Sequence, residues 1–166
     1  MLAPPALSSR LNMPHCTQMA LVHDMAEALV GDITPLDGVA KEEKSRREST
    51  TMDYMTGTLL GGVDGGAAGG AIRAVWQEYE DGATLEARFV HDVDKVELLL
   101  QMMEYERRGE GRLDLGEFLS VAQRVELEEM KGWCREVLRE REEFWRGVGV
   151  RPARADVAER LLSRAA

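Results

Sequence analysis

The chain has 166 residues, 44% hydrophobic and 31% charged, which is enough for a buried core and too apolar for a disordered segment. Its net charge of −9 argues against gripping a nucleic-acid backbone or an anionic membrane surface, since both need a basic face. A small phosphorylated ligand stays open, because a bound metal ion reverses the local sign.

The opening, "MLAPPALSSR", lacks the charged and apolar regions of a signal peptide and reads as a loop. Residues 12–30 form the first predicted helix, with Val22, Met25, Ala26 and Leu29 at spacings of three and four. Gly31 stops it, and "GDITPLDG" follows as a loop. Residues 41–55 carry charge at helical spacing and read as a solvated face, although Lys41, Lys44 and Arg47 are cations a phosphate could meet. "GGVDGGAAGG", residues 61–70, reads as a flexible break; it lacks the Lys-Ser/Thr of a P-loop. Helix returns over 71–82, with Ile72, Val75, Trp76 and Tyr79 on one side.

The longest predicted helix is 84–107, capped by Thr84, with a seam of Leu85, Phe89, Val93, Val96, Leu100 and Met103. Gly109 and Gly111 end it. "GRLDLGEF" is a loop, and a last long helix covers about 126–146. "DVAERLLSRA" is a short terminal helix or a tail. No alternating run supports a strand, and no apolar run approaches the ~20 residues of a membrane span. Cys16 and Cys134, far apart, read as reduced structural thiols of a cytosolic protein. The expectation is an all-α fold in one domain, 1–166, with a core of about 12–147 and a tail of 148–166.

"LVHDMAEALVGD", residues 21–32, is the informative stretch. On a continuous helix His23 and Glu27 lie one turn apart, with Asp24 beside them. An imidazole next to a carboxylate suits a divalent metal of intermediate hardness. A turn at Gly31 would bring Asp32 back toward the same place. Spacing alone leaves two alternatives: a metal site, or a His23–Asp24 hydrogen-bonded pair with Glu27 solvated. Asp94, at the edge of the 84–107 seam, favours the metal, because an acid beside a core face needs a partner. His91 and Asp92 form a second His-Asp dipeptide without a nearby Glu or Gly-Asp turn, and they read as surface residues.

"MALVHDMAEALVGDITPLDGVAKEEKSRRE" and "WQEYEDGATLEARFVHDVDKVELLLQMMEYE" resemble the HD-domain family, and within it the 5′-deoxynucleotidases; the resemblance covers about residues 12–145. It implies a helical bundle around a divalent metal (Mn²⁺, Co²⁺ or Mg²⁺) held by a first His, the pair His23–Asp24, and a later Asp matching Asp94. It also implies that Glu27 positions or protonates reacting groups. Asp32 would face the sugar or water, and Thr34 the substrate. Glu27, Asp32 and the Ile33 carbonyl would hold a second cation. The family's first His precedes the His-Asp pair by a few tens of residues, on a helix this chain starts too late to contain. His15, eight residues before His23, does not match it. The resemblance therefore implies an HD bundle lacking its N-terminal helix.

The activity implied is hydrolysis of deoxynucleoside 5′-monophosphates to deoxynucleosides and phosphate, impaired if the first His is needed. A metal would acidify a bound water and neutralise phosphate charge, while Glu27, if burial raises its pKa, would protonate the leaving 5′-oxygen. A homodimer in the cytoplasm is the implied setting. Two alternatives remain open: an HD phosphohydrolase for another phosphate ester, and a non-catalytic helical interaction or dimerisation module.

Overall fold

The computed structural model describes residues 2–33 and 37–163. Among them are eight α-helices and no strand: α1 (Pro5–Ser8), α2 (Met13–Val22), α3 (Glu27–Val30), α4 (Lys41–Asp53), α5 (Ala67–Asp81), α6 (Leu85–Arg108), α7 (Glu128–Val148) and α8 (Ala155–Ser163). The all-α expectation holds. The chain divides into two compact units, Leu11–Ala87 and Leu2–Arg10 with Arg88–Ala166. No helix of the described residues is long and apolar enough to cross a membrane.

In the first unit α2 packs on α5, α3 on α4, and a π-helical turn, Tyr54–Leu59, joins α4 and lies against α5. Its core holds Cys16, Met19, Met52 and Trp76. The Asn12 side chain accepts the backbone N–H of His15, capping α2, and Pro14 sits in the first turn, where it has no hydrogen bond to forfeit.

The glycine-rich break is shorter than expected. Val63–Gly66 forms one 3₁₀ turn, with Asp64 and Gly65 at φ of 48° and 61°, and α5 begins at Ala67. Gly69 therefore lies inside a helix, and its role is close approach: a Cβ there would sit 2.2 Å from the Thr56 carbonyl oxygen. Helix propensity alone would make Gly69→Ala stabilising by about 1 kcal/mol. The clash reverses the sign, and a loss of about 1–3 kcal/mol is expected. A thermal melt of the variant gives the sign directly.

In the second unit α7 packs on α8, and a 3₁₀ segment, Gly116–Arg124, packs on α8 as well. Met130, Cys134, Val137, Leu138, Arg141 and Trp145 bury one face of α7 at steps of three and four. On α6 the buried stripe is turned from the expected seam. Phe89, Val96 and Met103 are buried, but Leu100 is 49% exposed, and Val90, Leu99 and Met102 take core positions instead. Thr84 does cap this helix, its hydroxyl accepting the Ala87 N–H at 3.1 Å.

Two buried carboxylates organise the second unit. Asp92, expected at the surface, is 0% exposed. It accepts the backbone N–H of Glu126 at 3.0 Å and of Leu127 at 2.8 Å, and Lys95 Nζ stands 3.2 Å away. Leu127 is the N-cap of α7 and Glu126 the residue before it, so Asp92 ties the chain entering α7 to another helix. Glu106, also 0% exposed, takes two bonds from Arg141, one from the Trp145 indole and one from the Leu115 N–H.

Candidate active site

The candidate residues of the first unit cluster where the predicted first helix breaks. α2 stops at Val22, and residues 23–26 form a tighter turn in which Glu27 N–H bonds to Asp24 O at 3.0 Å. In a continuous α-helix that N–H would take the His23 carbonyl. The His23 carbonyl instead accepts the Trp76 indole N–H at 3.1 Å, from α5. The break is thus a tertiary effect, and it overturns the continuous helix expected over 12–30. His23 and Glu27 are not one α-helical turn apart on a single helix.

The turn fixes the histidine. His23 Nδ1 lies 2.9 Å from the Ala20 carbonyl, which can only accept, so Nδ1 carries the proton. The ring meets Tyr79 edge-on at 5.0 Å. Nε2 lies 3.0 Å from Asp24 Oδ2. An imidazole nitrogen lone pair and a carboxylate oxygen side by side are both electron-pair donors that one divalent cation can take. Anchoring Nδ1–H on a backbone carbonyl is the usual way a metal-binding imidazole is oriented through its other nitrogen. The donor chemistry of His23 and Asp24 therefore fits a divalent metal. Two protein donors do not complete a coordination shell: among the described residues no three His, Cys, Asp or Glu side chains form a group able to hold an ion.

Glu27 opens α3, and its carboxyl is pushed up to about 7 by burial first, then by the negative charges of Asp24 and Asp32. Gly31, at φ 76°, makes the turn that leaves Asp32 near enough for that effect. Lys44 answers part of this charge. Its ammonium lies 4.0 Å from Glu27, 3.5 Å from the buried Glu48, and donates to the Ile33 carbonyl at 3.1 Å. A second cation on the Ile33 carbonyl would thus meet Lys44 already there. Lys44 was legible as a cation, but its pairing with the Ile33 carbonyl and with Glu48 left no signal in the sequence. Thr34 lies outside the described residues. Asp94 is on α6 in the second unit, exposed.

His15, which does not match the family's first histidine, is engaged elsewhere. Its Nε2 lies 2.7 Å from Glu78, whose other oxygen accepts the Thr84 hydroxyl.

A family model described as "HD domain" matches residues 1–132. The chain belongs to the HD domain family. This HD domain is 44% identical over 138 residues to the 5′-deoxynucleotidase hdd1 of Schizosaccharomyces pombe, covering 83% of this chain and 69% of that one. It is 42% identical over 137 residues to the 5′-deoxynucleotidase YBR242W of Saccharomyces cerevisiae, covering 82% of this chain but 57% of that one. A solved structure, that of HD domain-containing protein YGK1, superposes with a TM-score of 0.69 at 34% identity, over 87% of this chain and 71% of that one. The HD domain described here spans a little over half to about two thirds of the length of these relatives.

Proposed function

We propose that the chain is a metal-dependent phosphomonoester hydrolase that converts deoxynucleoside 5′-monophosphates to deoxynucleosides and phosphate. The observation that carries this reading is the His23–Asp24 pair, with its imidazole anchored through Nδ1 and with Glu27 protonated near neutral pH beside it, in a chain closely similar to proteins named 5′-deoxynucleotidases.

His23 Nε2 and Asp24 would hold the metal. When bound, a divalent cation such as Mn²⁺, Co²⁺ or Mg²⁺ supplies acidified water and neutralises phosphate charge. Ala20 keeps the imidazole in the tautomer that leaves Nε2 as a donor to metal. Glu27, protonated near neutrality, would give its proton to the 5′-oxygen as the ester bond breaks. Asp32, exposed beside it, would accept a hydrogen bond from the sugar or from water. Thr34 would touch the substrate. Asp94 enters as a metal ligand from its sequence context alone, and Asp94→Asn in a Mn²⁺ titration tests it.

The experiment is phosphate release from a panel of deoxynucleoside monophosphates, ribonucleoside monophosphates and cyclic nucleotides with added Mn²⁺ or Co²⁺. Preference for the deoxynucleoside 5′-monophosphates is the expected result. Turnover confined to cyclic nucleotides would replace the reading with another phosphohydrolase.

A further inference from the structure

The second unit contains a cavity of about 600 Å³ that the proposed chemistry does not use. It is bounded by the 3₁₀ segment Gly116–Arg124, α7 and α8. Val125, Leu138 and Val157, all buried, form an apolar floor that Leu161 extends. Lys131, Arg135 and Arg160 also line it, against one carboxylate, Glu128. In a chain of net charge −9 this is a local reversal of sign.

The three cations are not equivalent. Lys131 is paired with Glu128 at 2.6 Å and Arg160 with Asp156 at 2.8 Å. Arg135 is half-buried; its charge acts on Glu128, but no hydrogen bond or ion pair joins its guanidinium to a described residue. Withdrawing a guanidinium from water without giving its fork of donors an acceptor costs free energy. A planar guanidinium of this kind is matched by an oxyanion that accepts two parallel N–H bonds. The cavity's volume falls within the range of small-molecule sites, and its wall sets a larger polar surface around the buried apolar floor.

We propose that this cavity binds a small organic phosphate with an apolar body, its phosphate on Arg135 and its body on the Val125–Leu138–Val157 floor. No residue of the His23 chemistry lines this cavity, and the proposal does not rest on that chemistry.

The test uses the full chain in EDTA, with 8-anilinonaphthalene-1-sulfonate as a fluorescent probe carrying the same combination of apolar rings and oxyanion. The probe is expected to bind and to be displaced by n-hexyl phosphate. Inorganic phosphate and n-hexanol are each expected to displace it at least about tenfold less well, since each satisfies one half of the site. Arg135→Glu should weaken both probe and hexyl phosphate at least about tenfold with helix content unchanged. Arg135→Gln should weaken them less, and it carries the comparison if the charge reversal does not fold. His23→Ala should bind as the wild type does. The proposal is overturned by no probe binding, by no displacement by hexyl phosphate, by equal affinity in the Arg135 variants, or by a loss of affinity in His23→Ala.

Discussion

Glu106→Ala is expected to be the most destabilising single substitution in the second unit, costing about 3–5 kcal/mol. The carboxylate is fully buried and takes four hydrogen bonds, from Arg141 twice, Trp145 and Leu115. Its removal leaves Arg141, 2% exposed, with only Asp114 at 3.1 Å. The penalty comes mainly from that stranded guanidinium and from the indole and amide N–H groups, which lose an acceptor out of reach of water. For a chain of this size the midpoint of thermal unfolding should fall by about 10 °C. Glu110→Ala is the control, because its pair with Arg112 is exposed on both sides and should be worth no more than about 1 kcal/mol. A fall of under about 2 °C in Glu106→Ala would mean the unit repacks around Arg141.

Glu27→Gln is expected to stabilise the metal-free protein and to cripple the enzyme. Burial and two neighbouring acids raise the carboxyl from an ordinary 4.5 to about 7. The folded state therefore keeps a proton that the unfolded chain gives up. Stability falls as pH rises from about 4.5 to about 7, and the whole cost is present above 7. Glutamine carries no such charge. Above pH 7.5 in EDTA it should gain about 2–3 kcal/mol, while near pH 4 the two proteins should melt alike. Phosphate release should fall about 10²–10⁴-fold, the usual contribution of a positioned general acid. Melting curves at pH 4 and pH 8 test the first half. A stability difference that does not change with pH would show that Glu27 is an ordinary carboxylate, and it would remove its assignment as the acid.

The parts of this molecule that were legible in the sequence are those set by near neighbours. α6 and α7 follow from apolar spacing and from Thr84, and the residues 23, 24, 27 and 32 cluster because they are close in the chain and a glycine turns it. What was not legible depends on distant partners. The break after Val22 is made by the Trp76 indole, 53 residues away, capturing the His23 carbonyl. Asp92 reads as surface until its acceptors' partners, the N–H groups of Glu126 and Leu127, are known. Gly69 reads as loop because its neighbour across the packing, Thr56, is invisible to composition. The Leu100 seam failed by a rotation of the helix, which periodicity fixes less well than it fixes the helix itself.

The most direct test of the central claim is phosphate release from a deoxynucleoside 5′-monophosphate with Mn²⁺ or Co²⁺, run beside His23→Ala, with metal binding measured on both proteins by titration. Turnover and metal binding are expected in the wild type, with both reduced at least about 10²-fold when the imidazole is removed. Turnover that survives His23→Ala undiminished would contradict that claim, as would a wild type that binds no metal and releases no phosphate.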